Sequence, residues 1–217
     1  MRTIAFVTQK GGSGKSTLAS SLAVTAHEAG ERVFIIDLDP QKSLVKWSQM
    51  RGEADVPVEA VAPNKLASVL AALDKKGVTL CIIDTAGAET STTKAAMQAA
   101  DLCIIPSRPN VFDLWASEQT RASLRELKKD FVFLLNQCPP AQQSARVEDG
   151  VKALEAMGGL ISPLIAARVD YQEAARHGYG VSEINPYGHA ADEMRRLWSS
   201  IKKRMARGKA AAARKVA

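Results

Sequence analysis

The chain has 217 residues, 46% hydrophobic and 24% charged, with a formal net charge of +6. That length and balance suit one globular domain with a sizeable core. No apolar run approaches the roughly 20 residues of a membrane span, three cysteines argue against a disulfide framework or zinc site, and the early polar turn at Thr8–Lys10 argues against a secretory signal, so the cytoplasm is the expected compartment.

In chain order, a strand is expected over 3–8 (TIAFVT), a helix over 15–29, a strand over 32–37 (RVFIID) and a helix over 43–51. A strand over 56–61 (VPVEAV), a helix over 64–76, a strand over 79–84 (TLCIID) and a helix over 91–100 follow. Then come strand 101–106 (DLCIIP), helix 113–129, strand 131–136 (FVFLLN), helix 143–157, strand 159–165 (GLISPLI) and helices 170–177 and 188–206. Several strands are continuous apolar runs, as strands covered on both faces are. Ser43 and Asp170 are expected to cap their helices, and Gly30 and Gly77 to close two others. Cys81 and Cys103 read as small buried hydrophobes. Strand–helix alternation of this kind predicts an α/β fold: a doubly wound, mostly parallel sheet flanked by helices. One domain is expected over 1–206, followed by a basic, disordered tail over 207–217, although Ala210–Ala213 can extend the last helix.

Charge is uneven. From Lys202 on, the chain carries Lys202, Lys203, Arg204, Arg207, Lys209, Arg214 and Lys215 and no acid, which leaves −1 on the remainder. Such a stretch is either an arm for nucleic acid or another polyanion, or a solvated terminus.

Between the first strand and the first helix stands QKGGSGKST, Gln9 to Thr17. It has the strand–loop–helix setting of a phosphate-binding loop, but Gln9 occupies the place of the first glycine, and Lys10 is an extra lysine within the loop. Gly11, Gly12 and Gly14 permit unusual backbone angles and close approach of an anion. The amides from Gly12 to Thr17, Ser13 included, are expected to face phosphate at the positive end of the helix. Lys15 would reach the β- and γ-phosphates and the Ser16 hydroxyl would ligate Mg²⁺. Carboxylates for that cation are expected at strand ends. Asp84 closes TLCIID before Thr85-Ala86-Gly87 and would hold Mg²⁺ through water. Asp37 and Asp39, in IIDLDPQKS, can each hold metal-bound water or orient the attacking water; a helix cap is the other use of such an Asp.

KGGSGKST, DLDPQKS and IIDTAG together resemble the deviant Walker A ATPases of the ParA/MinD superfamily, P-loop NTPases in fold. The similarity spans most of residues 2–200. The resemblance implies that Lys10 is the signature lysine, crossing a two-fold interface to the phosphates held by a second copy, so that ATP joins a sandwich dimer. Within the superfamily, DPQKSLVKWS and DLCIIPSRPNVFDLWA are similar to the small plasmid-type ParA proteins, ParF among them, which lack an N-terminal DNA-binding domain. By the same resemblance Asn136 reads adenine, Pro106 and Pro109 lie near the dimer interface, and Arg168 and Arg176, with Lys202, Lys203 and Arg204, face DNA. The DTAG turn departs from the D-x-P-P or D-x-P-G form common in that subfamily. Cysteines for a bridging iron–sulfur cluster and the bulky apolar face of a MinD-type membrane helix are lacking.

The resemblance implies an ATPase with ATP and Mg²⁺ as cofactors, slow without a stimulating partner. It would dimerise on ATP, bind DNA without reading sequence, associate with the nucleoid, avoid membranes, and segregate a plasmid or chromosome with a centromere-binding protein. Two alternatives stand beside it. One is a positioning ATPase for a protein cargo such as a chemoreceptor cluster or microcompartment; the other is a metabolic P-loop ligase.

Overall fold

The structure is a computed structural model that describes residues 1–140 and 144–216, with side chains through Gly208. Six strands form one sheet: β1 (Arg2–Phe6), β2 (Val33–Asp37), β3 (Val58–Ala60), β4 (Leu80–Asp84), β5 (Leu102–Ser107) and β6 (Phe131–Leu135). Their order is β3-β2-β4-β1-β5-β6, and every pairing is parallel. Helices α1 (Lys15–Glu28), α2 (Ser43–Arg51), α3 (Leu66–Lys75), α4 (Ser91–Ala99), α5 (Val111–Glu126), α6 (Ala145–Ala156), α7 (Val169–Arg176), α8 (Val181–Ile184) and α9 (His189–Val216) cover it.

Alternation along each strand divides the core between the two faces. Ile4, Phe6, Ile35 and Ile82 pack with α1, α2, α7 and α9 through Leu22, Trp47, Tyr171 and Trp198. Ala5, Val7, Ile36 and Ile83 pack with α3 to α6 through Leu73, Met97, Leu124 and Leu154. Burial of each large side chain stabilises the fold by about 1.5–3 kcal/mol. The expected doubly wound α/β sheet is therefore the one observed.

Central β1 lies between β4 and β5. The chain leaves β1 toward β2 on one side and reaches β5 on the other. This reversal of strand order opens a crevice at the carboxyl ends, where α/β proteins bind ligands. The phosphate loop, the ends of β2 and β4 and the start of α5 all meet there.

Three local expectations differ. Residues 159–165 form no strand; they run beside β6 with backbone bonds such as Ile161 to the Phe133 carbonyl and Ile165 to the Leu135 carbonyl, and Pro163 between them has no amide to donate. Ser43 makes no cap bond at α2: Lys42 stands at the cap with φ 53° and no side-chain bond. Asp170 lies in the first turn of α7, behind Arg168 at the cap position. Gly30 and Gly77 do close α1 and α3, at φ 88° and 78°. The last helix is drawn to Val216, beyond the expected end at 206. Residue 143, expected to begin the sixth helix, and the side chains of Lys209, Arg214 and Lys215 lie outside the description.

Candidate functional site

The phosphate loop runs from the end of β1 into α1. Gly14 stands at the helix cap with φ 90° and no side-chain cap bond, which leaves the first amides of α1 open toward the crevice. Gly12 also has positive φ, 75°. A side chain at Gly14 would be strained and would meet Asn136: a Cβ there would lie 2.4 Å from Asn136 Nδ2.

Two residues at the end of β6 brace the loop from outside. The amide nitrogen of Asn136 donates to the Ser13 carbonyl at 2.8 Å, and Gln137 Nε2 donates to the Gly12 carbonyl at 3.0 Å. One of the two amide hydrogens of Asn136 is thereby spent on the loop, which leaves the other and the carbonyl oxygen for a purine edge. Asn136 and Gln137 also border a cleft of about 380 Å³ beside Gly14 and Thr17, closed on its far side by Ala166, Ala167 and Tyr171. Gln137 went unnoticed in the sequence; its position beside Asn136 at a strand end was the available signal.

The central pair is Ser16 and Asp84. Ser16 Oγ donates to Asp84 Oδ2 at 2.5 Å. Asp84 is wholly buried, and its other oxygen, Oδ1, has no hydrogen-bond partner among the described residues. Burial pushes its carboxyl up to about 7, against the lowering effects of the Ser16 bond and Lys15. Lys15 is also buried, and its ammonium reaches the Lys10 carbonyl at 3.4 Å. Burial lowers its pKa, opposed by Asp84 and Asp39. A buried carboxylate with an orphaned oxygen, touching a hydroxyl at a helix N-terminus, fits a hard cation. No cluster of three or more His, Cys, Asp or Glu that could hold a metal occurs among the described residues. Mg²⁺ is commonly held by one or two carboxylates together with phosphate oxygens.

Asp37, expected at the cation, is engaged by backbone amides. Its Oδ2 accepts the amides of Leu44 and Val45, and its Oδ1 accepts that of Asp39. It caps α2 and holds the turn after β2, the role expected of Ser43. Asp39 is the freer carboxylate: Oδ1 accepts the Gln41 amide at 2.9 Å, and the residue is half-buried. The turn after β4 touches the loop directly. Thr85 Oγ1 donates to the Phe6 carbonyl, and a Cβ at Gly87 would lie 2.8 Å from Gly11 Cα. Only glycine permits that approach, so the position of one turn depends on the other.

The expected DNA-facing residues divide. Arg168 is held by Glu193 through Nε and Nη2 at 3.0 and 2.8 Å, with Tyr171 on the same carboxylate. Arg204 makes two bonds to Asp130. Each guanidinium is thus tied to a carboxylate on one edge, and its remaining N–H donors are open to another acceptor. Arg176 is exposed beside Glu173, at 3.3 Å. Lys202 and Lys203 are exposed on α9, with Lys202 over the Trp198 ring. Pro106 lies next to the last residue of β5, and Pro109 precedes α5, whose first turns leave Val111, Phe112 and Trp115 exposed.

Comparison with known proteins agrees with this geometry. The AAA-domain family AAA_31 matches residues 1–148. The maintenance of carboxysome distribution protein A of Gloeobacter kilaueensis is 31% identical over 91% of this chain and 95% of its own length. Protein ParA of Rhizobium radiobacter is 27% identical over 82% of this chain and 84% of its own. The septum site-determining protein MinD of Pyrococcus horikoshii OT3, solved with Mg-ADP, has the same fold at a TM-score of 0.72 and 20% identity, covering 93% of this chain and 96% of that one. By the family match over most of the chain and the relatives that cover nearly all of it, the chain belongs to the AAA_31 family within the ParA/MinD superfamily of P-loop ATPases.

Proposed function

We propose that this protein is an ATP-dependent positioning ATPase that segregates a plasmid or chromosome in the cytoplasm, over the nucleoid. The observation that carries the reading is the pair made by Ser16 of the phosphate loop and Asp84 at the end of β4, with its orphaned carboxylate oxygen. Lys15 and the amides from Gly12 to Thr17 would hold the phosphates, with Ser16 and Asp84 on the cation. When bound, ATP with Mg²⁺ supplies the phosphoryl group whose hydrolysis resets the protein. Asp39, the freer strand-end carboxylate, orients water. Lys10 reaches the phosphates of a second copy and makes dimerisation depend on ATP.

A large exposed apolar patch marks a surface that another molecule covers. Phe112 and Trp115, 64% and 62% exposed, pack edge to face on the helix that touches the loop at Gln9 through Thr120. They support a second copy closing over this end of the sheet. DNA then meets Lys202, Lys203, Arg176 and the stretch beyond them, without sequence readout, and a centromere-binding partner stimulates hydrolysis. A second reading, a protein assembly as cargo, is favoured by the nearly full-length match to a carboxysome distribution protein; it uses the same chemistry.

The test is binding of a labelled duplex of arbitrary sequence at moderate salt, with ATP–Mg²⁺ or with ADP–Mg²⁺. Binding confined to ATP, and weakening steeply with salt, is expected. Equal binding with both nucleotides, or none with either, contradicts the DNA-gating part of the proposal.

A further inference from the structure

Arg108 leaves the end of β5 and reaches back over the phosphate loop. Its Nε and Nη2 donate to the two oxygens of Asp113 at 2.9 and 3.1 Å. Asp113 is 2% exposed and lies in the first turn of α5, its own amide donating to Asn110 Oδ1. The N-terminus of α5 already favours its charge. The arginine therefore gains more in orientation from this pair than the aspartate gains in compensation. Two donors of the guanidinium fork are fixed, and the third nitrogen stays open. Nη1 has no hydrogen-bond partner among the described residues and lies 3.7 Å from where a Cβ on Gly12 would stand. The Arg108 side chain is 31% exposed.

A guanidinium held on one edge by a buried carboxylate and open on the other is a preorganised donor for an oxyanion. Here the open edge faces the tip of a loop whose amides serve the same class of ligand. We propose that Arg108, positioned by Asp113, is a phosphate-sensing residue of this site, contacting the terminal phosphate and making the protein prefer a nucleoside triphosphate to a diphosphate. The inference rests on the nucleotide-binding reading above. Lys15 is buried at the base of the loop, whereas Arg108 stands at its rim, so the two lysines of the loop do not duplicate its place. The neighbouring Asp39 and Asp84 carboxylates would repel a terminal phosphate, and an added cation at the rim offsets that repulsion.

The experiment titrates fluorescent ATP and ADP analogues, with Mg²⁺, into the wild-type protein and into Arg108→Gln, Arg108→Lys and Asp113→Asn variants. Arg108→Gln is expected to weaken the ATP analogue about tenfold, the size of one charge-assisted hydrogen bond, while ADP analogue affinity changes less than about twofold. Arg108→Lys restores part of the preference, and Asp113→Asn loses part of it, because the fork is no longer held from both oxygens. Removal of Arg108 leaves a buried carboxylate alone, so a doubly substituted Arg108→Ala/Asp113→Asn protein, with a thermal melt, separates the preference from the fold. Equal losses for the two analogues, or none, in variants that melt like the wild type overturn the proposal. A wild-type protein that binds neither analogue overturns the nucleotide reading and this proposal with it; wild-type ATP binding unmoved by Arg108 overturns this proposal alone.

Discussion

Substituting Asp84 by asparagine should stabilise the nucleotide-free protein while destroying its function. The carboxylate is fully buried, and one oxygen has no partner among the described residues. A rise from its ordinary 3.8 to about 7 corresponds to about 4 kcal/mol of preference for the neutral form. Asparagine removes that cost and keeps an acceptor for Ser16, but it leaves an amide N–H group where Oδ1 was, at about 1–3 kcal/mol. The net gain is about 1–3 kcal/mol at pH 8.5, with a rise in Tm of about 2–4 °C per kcal/mol. The sign follows from linkage: a carboxyl whose folded pKa is raised contributes stability while protonated, and that stability is lost as pH rises from 3.8 through about 7. At pH 5.5 the advantage of Asp84→Asn should therefore shrink by about 2 kcal/mol. Urea unfolding at both pH values measures it, provided the transitions are two-state. Saturating ATP–Mg²⁺ should reverse the order, stabilising the wild type and not the variant. A variant less stable than wild type at pH 8.5, with no dependence of the difference on pH, would refute the idea that Asp84 is a carboxylate awaiting a cation.

Three further outcomes are expected. Lys15→Ala should abolish binding of a fluorescent ATP analogue, because the one buried ammonium at the base of the loop is lost. Gly87→Ala should fold yet weaken nucleotide binding by about tenfold, since its Cβ would push on the Gly11 backbone; unchanged affinity would separate the two turns. Arg51→Ala should cost about 3 kcal/mol in urea unfolding without touching nucleotide affinity, because the buried guanidinium joins Asp55, Glu183 and the Gly178 carbonyl.

Local features were legible in the sequence. The apolar runs of β1, β2, β4, β5 and β6 and the glycine pattern of the loop each depend on a few adjacent residues. Asp84 could be placed beside the loop because it closes an apolar strand next to the one that leads into it. What escaped depends on contacts between distant parts of the chain. Asp37 became a cap because the turn after β2 brings the Leu44 and Val45 amides onto it. Arg168 and Arg204 pair with Glu193 and Asp130, 25 and 74 residues away, which no pattern of basic residues reveals. Arg108 lies in DLCIIPSRPNVFDLWA, but its meaning depends on a loop nearly a hundred residues earlier folding beneath it. The apolar run at 159–165 had a strand's composition, but it meets β6 only in pieces on either side of Pro163, which has no amide to donate.

The central claim is that ATP joins two copies of this chain through Lys10. Sedimentation velocity of the wild type and of Lys10→Ala, each with a non-hydrolysable ATP analogue and Mg²⁺ or with ADP–Mg²⁺, tests it most directly. The account predicts a dimer for the wild type with the ATP analogue only, and a monomer for Lys10→Ala that still binds the nucleotide. A wild type that stays monomeric with bound ATP analogue, or a Lys10→Ala protein that dimerises as well as the wild type, would contradict it.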